Sequence, residues 1–353
     1  MADADHGGRW TRRRFSMVLP LLGTLPWVAR AAGHQESTSS SPLAPQRASR
    51  ALMGTRVDIV VDGVEAPVAQ QALGRAFAEM QRLEAMMSRY RKDSVVARIG
   101  AAAGKHPVAV PAEVMAVLQS AQRVYRQSNG AYDPTVGALV GWRFEPGHQS
   151  IPTTSELAAE LRGVGGGDLH LDPAAGTAFL ARPGMALDLG GIAKLPILSA
   201  GLRVLRREGV ANALVNGGGD VLAMGRLAGR PWRVGVRDPR KPAQLLGAIE
   251  IDGKGVVASS GDYERAFVRD GRLLHHVLDP KTGWPTAGVH GVTLFAREVD
   301  VVNGWGTALM VQGPKAAARW SAARPGSAVL SAHADGTVWQ SSAMQALLLP
   351  VAA

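Results

Sequence analysis

The chain has 353 residues, a formal net charge of +10, 42 glycines and no cysteine. That length allows one large domain or two ordinary ones, with a core large enough to stand without cross-links. The absence of cysteine excludes disulfides, thiolate metal sites, a cysteine nucleophile and a lipid-modified N-terminal cysteine. At 46% hydrophobic and 19% charged residues the composition is that of a globular chain. The positive charge raises the question of nucleic acid. However, the basic residues are scattered singly and in pairs and aromatics make up only 5%, so no stacking platform is evident and no nucleic-acid partner is expected.

Arg12-Arg13-Arg14-Phe15 precedes an apolar run from Met17 to Val28, and Ala29-Arg30-Ala31 follows as an A-x-A-like cleavage site. A basic region, a short apolar region and small residues in that order read as a secretory signal over residues 1–31. The arginine pair before x-Phe suggests the twin-arginine route for folded proteins, hence a periplasmic location. The apolar run is shorter than the roughly 20 residues a spanning helix needs, so no membrane anchor is expected after cleavage. The segment carries five Arg and two Asp, so its removal lowers the charge to about +7. Residues 32–50 are rich in Ser, Pro and Gln and read as a flexible leader, with a single two-lobed domain over 51–353.

In that domain, alternating Val57, Ile59 and Val61 predict a strand over Thr55–Val61. Ala69, Leu73, Ala76, Phe77, Met80 and Leu83 recur at helical spacing and predict a helix over 67–87. Further helices fit 111–128, opening at Pro111, and 155–162. Strands fit Ala178–Ala181 and Met185–Leu189, and a helix from about 196 to 208 opens at Pro196. Then come strands at Ala213–Val215, Trp232–Arg237, Ala248–Ile251, Gly255–Ala258, Ala266–Arg269 and Val289–Leu294, and helices over 303–312 and 314–323. Arg269-Asp270-Gly271 reads as a hairpin turn. Strands dominating the second half, with helices interspersed, give an α+β fold.

Six segments concentrate polar and glycine residues. Ser88-Arg89-Tyr90-Arg91-Lys92-Asp93-Ser94 closes a helix, and Asp133 would project from a turn because Pro134 follows it. Asp188-Leu189-Gly190-Gly191-Ile192-Ala193-Lys194 runs from a strand through paired glycines to a lysine near a helix start, where backbone amides and the ammonium would favour an anion. It is neither a P-loop nor G-x-G-x-x-G. Asn216-Gly217-Gly218-Gly219-Asp220 permits a nest of amides, or a plain turn. Ser260-Gly261-Asp262-Tyr263 precedes His276-Val277-Leu278-Asp279-Pro280, in which His276 with Asp279 forms a candidate general base and its orienting carboxylate. No G-x-S-x-G or H-E-x-x-H supports a hydrolase.

Taken in order from Met53-Gly54-Thr55 to about Gly313, these segments resemble the FAD:protein FMN transferase (ApbE-like) family. The resemblance implies a T-fold-related, two-lobed α+β fold with mixed or antiparallel sheets flanked by helices. It implies that FMN passes from FAD to a threonine or serine hydroxyl of a membrane or exported redox protein, with a divalent metal, usually magnesium, and release of AMP. On the same resemblance Met53, Tyr90, Ala131, Tyr132, Asp133, Asp188, Lys194, Ser260 and Gly261 would contact FAD, with Lys194 near the pyrophosphate. The Gly191 carbonyl and the Thr307 hydroxyl would face the metal, and His276 would take the proton from the acceptor hydroxyl.

Two departures stand out. The family's acidic metal motif aligns with Val302-Asn303-Gly304-Trp305-Gly306-Thr307, so the main ligand position is Asn303 and the second acidic option is Gly306. An amide oxygen ligates a hard cation without bringing charge, so magnesium should bind more weakly. Ser199 stands where the family has an Asp that makes a further contact. The alternative expectation is therefore a relative that binds FAD without transferring FMN.

Overall fold

The computed structural model describes residues 43–350; the expected signal segment lies outside them. Eight strands form the central sheet, and they neighbour one another in chain order: Gln46–Leu52, Thr55–Asp62, Asn212–Gly217, Asp220–Met224, Gly255–Gly261, Val289–Ala296, Ala328–His333 and Val338–Gln340. Every neighbouring pair is antiparallel. The sheet opens earlier than the sequence suggests. Gln46 pairs with Val61 and Leu52 with Thr55, so the last residues of the expected flexible leader form an edge strand. The turn between them is Met53-Gly54, with φ of 53° and 70°, the left-handed pair that a tight hairpin requires.

Between the second and third strands the chain makes its longest excursion and lays down helices Ala66–Met87, Val95–Ala101, Ala112–Gln127, Thr154–Leu161 and Lys194–Arg207. The long helix buries Ala69, Leu73, Ala76, Phe77, Met80 and Leu83, the six positions spaced for it in the sequence. They meet Val57, Ile59 and Val61 from the sheet and Ile197, Leu198 and Leu205 from the Lys194–Arg207 helix in one core. Each buried Val, Leu, Ile, Phe or Met among them contributes roughly 1.5–3 kcal/mol of apolar transfer, and each alanine less. The opposite face carries a second core: Val221, Val257, Phe295 and Leu330 pack on Trp232, Val234 and Ile249 of a smaller three-stranded sheet. Central strands are thus buried on both faces, as in Val289–Ala296, where Leu294 faces one core and Phe295 the other.

Several boundaries move for local reasons. Val95–Ala101 is a helix that the sequence reading passes over, and its N-cap is Ser94, whose hydroxyl accepts the Ala97 amide at 2.9 Å. Met185–Leu189 is not a strand; it is extended chain with a single bridge from Ala186 to Val136. The next helix starts at Lys194 rather than Pro196, which occupies the third helical position, where a missing amide costs nothing because no helical partner exists there. The expected 303–312 helix is broken: Val299–Val302 ends, Asn303 is extended, Gly304 is left-handed (φ 78°), and Trp305–Gln312 begins anew. A third small core of Leu139, Trp142, Leu157 and Leu274 supports the Ala266–Arg269/Arg272–His275 hairpin.

Candidate active site

The six polar segments converge on one cleft of about 410 Å³. Each is delivered by the end of a regular element. Asp188 lies on the approach to the Lys194–Arg207 helix, and its amide donates to the Pro134 carbonyl at 2.8 Å, tying the Asp133-Pro134 turn to the glycine pair. Its carboxylate accepts the Gly190 amide and Arg89 Nη1, both at 2.7 Å. Burial would raise the Asp188 pKa, but the charge and hydrogen bond of Arg89, the Gly190 amide and the charge of Arg265 hold it below the ordinary value. Asp188 is therefore a fixed anion.

Lys194, the first helical residue, places Nζ 3.0 Å from Asp220 Oδ2. The other Asp220 oxygen accepts the Ser259 amide at 2.9 Å. Asp220 ends the glycine turn, in which Gly218 and Gly219 have φ of 63° and 95°, and a Cβ on Gly218 would lie 2.6 Å from Thr55 Oγ1. The turn is thus packed against the Met53-Gly54-Thr55 hairpin, whose Met53 amide donates to Glu84 Oε1 at 2.7 Å.

Tyr132 is buried and its hydroxyl has no partner; burial, then the charges of Asp188 and Asp133, push its pKa well above the ordinary phenol value. Asp133 lines the cleft, but its carboxylate accepts the Thr135 amide and hydroxyl and the Gly166 amide, so it holds its own turn. Ala131 lines the wall beside them, and Tyr90, 69% exposed, stands at the mouth. Ser260 and Gly261 line the far side, and a Cβ on Gly261 would strike the Tyr263 ring.

His276 lines the cleft with a buried Nδ1 that has no partner. Burial, then the charges of Arg265 and His275, lower its pKa to about 3, so the imidazole is neutral. The expected couple with Asp279 does not form. Asp279 is absent from the cleft lining, and its carboxylate accepts the Lys281 amide while its backbone bonds to Trp284 and Gly283. Three residues of separation in a tight turn direct it to local amides rather than to the imidazole. The His–Asp pair that does form joins His290 Nδ1 to Asp262 Oδ2 at 2.5 Å.

Gly191 and Thr307 share a corner, since a Cβ on Gly191 would lie 3.0 Å from Thr307 Oγ1. Asn303 is buried beside the helix break with Nδ2 unpartnered. Among the described residues no three His, Asp or Glu side chains group to hold a metal. The donors in this corner are neutral oxygens, which fit a hard cation whose charge is met by the ligand's phosphates. Gly306 lines the cleft, but a Cβ there would collide with Ser260 Oγ. Ser199 does not line the cleft and accepts from Arg203 instead, so the departure at that position lies outside the cleft lining.

Residues unmarked in the sequence complete the cleft. Asp220 and Arg89 lie inside the polar segments and Ser259 opens the Ser-Ser-Gly-Asp-Tyr run, so the sequence marks their neighbourhood; Glu84 and Arg265 carry no local signal.

The ApbE family profile matches residues 53–330. An FAD:protein FMN transferase of Klebsiella pneumoniae (strain 342) is 35% identical over 242 residues, covering 68% of this chain and 75% of the relative. One of Salmonella typhimurium is 32% identical over 290 residues, covering 80% and 82%. Among solved structures, the ApbE protein of Thermotoga maritima superposes with a TM-score of 0.79 at 30% identity, covering 86% of this chain and 99% of that one. The flavin transferase ApbE from Vibrio cholerae gives 0.74 at 29%, covering 87% and 100%.

Proposed function

The chain belongs to the ApbE family, and from that premise we propose that it transfers the FMN half of FAD to a hydroxyl of an acceptor protein and releases AMP. The acceptor oxygen forms a bond to the phosphorus on the riboflavin side, the pyrophosphate bridge breaks, and the hydroxyl proton leaves to a base. The observation that carries this reading is the meeting in one cleft of a neutral imidazole with a free Nδ1 (His276) and a lysine held by a carboxylate (Lys194 with Asp220).

Phosphoryl transfer asks the protein for position and charge rather than covalent chemistry. Lys194 supplies positive charge to the diphosphate, and Asp220 fixes where that charge stands. Asp188, locked by Arg89 and the Gly190 amide, holds the glycine pair open to a close backbone approach. Tyr132, His276 and Asn303 each bring a buried polar atom with no protein partner, the condition a polar ligand relieves. His276 accepts the acceptor's proton; the diphosphate's negative charge opposes that of Arg265 and raises its basicity. Magnesium, when bound, neutralises phosphate charge, and Thr307, the Gly191 carbonyl and Asn303 would hold it.

The FAD-binding relative without transfer is the weaker reading, because Ser199 lies outside the cleft lining and the relatives at 32–35% identity are FAD:protein FMN transferases. We place the protein in the periplasm after twin-arginine export and cleavage at Ala31, acting on threonine or serine of an exported or membrane redox protein; N-terminal sequencing of the periplasmic form checks the first part. No helix among the described residues is long and apolar enough to cross a membrane. Incubation with FAD, magnesium and an acceptor domain should add the mass of FMN to the acceptor. FAD bound but no adduct at any magnesium concentration would overturn the transferase reading.

A further inference from the structure

A second cavity, of about 220 Å³, meets the cleft at His276, Asp188, Arg265 and Tyr90. Its outer wall is built by the chain after the Asp133 turn: Leu139, Val140, Trp142, Arg143 and Phe144. That wall is held rigidly. Trp142 Nε1 donates to the Gly283 carbonyl at 2.8 Å, its ring meets Trp284 edge-on at 5.1 Å, and Phe144 packs on Phe267 at 5.9 Å. Val140 is nevertheless 58% exposed and Tyr90 69%, so apolar surface faces outward along the groove.

The charges on the groove are uneven. Its acids are Glu145 and Asp188, and Asp188 is already paired with Arg89. Arg143 and Arg265 have no carboxylate within ion-pair distance among the described residues; Arg265 reaches only the Tyr90 hydroxyl at 3.4 Å. A fixed apolar strip with surplus guanidinium charge, ending at the cleft's free imidazole, favours one occupant.

We propose that this groove docks the acceptor protein as an extended, acidic segment, with an apolar side chain over Val140 and Phe144, a carboxylate at Arg143 and the reacting hydroxyl at His276. The inference rests on the transferase reading above and adds the entry path and the charge of the substrate. FAD takes the cleft on the Lys194 and Thr307 side, and the segment arrives from the other side of His276.

The test uses the full protein with FAD and magnesium. The probes are three synthetic peptides with one central threonine and one leucine, flanked by aspartates, by asparagines in their place, or by lysines. Covalent FMN is read by mass, and FAD affinity by calorimetry. The aspartate peptide should be labelled with at least tenfold higher kcat/KM than the lysine peptide. Arg143→Glu should abolish that preference, Arg143→Lys should keep it, and Val140→Glu should raise KM for the peptides at least tenfold. FAD affinity should stay within twofold throughout, which also reports that the variants fold. Equal labelling of the three peptides, or unchanged KM in Arg143→Glu and Val140→Glu, would overturn the docking groove while leaving the transferase reading intact. So would a loss of FAD affinity beyond fivefold in both variants, which would give the groove to the flavin. If FAD is bound yet neither the peptides nor an acceptor domain gains FMN, the transferase reading fails and the groove falls with it.

Discussion

Lys194 Nζ lies 3.0 Å from Asp220 Oδ2, and the other oxygen of the same carboxylate accepts the Ser259 amide. Through this one side chain the start of a helix, the end of a glycine turn and the edge of a central strand are bound together. Asp220→Ala should cost about 1–3 kcal/mol in urea unfolding, because the Ser259 amide and the ammonium both lose a partner. Asp220→Asn should cost less, since an amide oxygen still accepts from Ser259. Lys194→Gln should leave stability nearly unchanged and weaken FAD binding about tenfold or more, roughly 1.4 kcal/mol, by calorimetry.

His276 is held neutral, its pKa lowered to about 3 by burial and by the charges of Arg265 and His275. The sign of its effect on stability follows. Above pH 6.5 neither folded nor unfolded chain carries the proton. As pH falls from 6.5 toward 3, the unfolded chain takes up a proton that the folded protein refuses, and stability declines. His276→Asn should flatten that decline between about pH 6.5 and 5.5, above the range where most carboxylates titrate. Bound FAD should raise the His276 pKa, read by NMR titration; an unmoved value would place the diphosphate away from the imidazole.

Asp279 accepts a local amide rather than the imidazole. Asp279→Asn keeps that acceptor, so single-turnover FMN transfer should change less than threefold. A fall of about a hundredfold would show that the carboxylate acts on His276 after all.

Asn303→Asp adds a charge to a corner of neutral oxygens and should tighten magnesium binding to the FAD complex about tenfold in a calorimetric titration. Unchanged affinity would remove Asn303 from the ligand set.

The same remedy at the other acidic option should fail. A Cβ at 306 collides with Ser260 Oγ, so Gly306→Ala should cost about 1–3 kcal/mol, with part of it recovered in the Ser260→Gly background.

Periodicity in the sequence determined the long helix and the strand opposite it, because apolar residues three or four and two apart leave one face to bury. The motifs pointed to the family, and of the site residues expected from them all but Asp279 line the cleft. Met53, Lys194, Thr307 and His276 line the cleft because glycine turns, helix starts and strand ends are locally encoded. Tertiary structure alone decided the rest. It showed that residues 46–50 are a strand, since an edge strand is defined by its partner and not by its own pattern. It withdrew Asp279 from His276 and brought Asp262 to His290, because a carboxylate bonds whichever donor the fold puts within 3 Å. It set Arg89 against Asp188 across 99 positions, and opened the groove along Val140 and Arg143 beside His276, contacts that no local spacing announces.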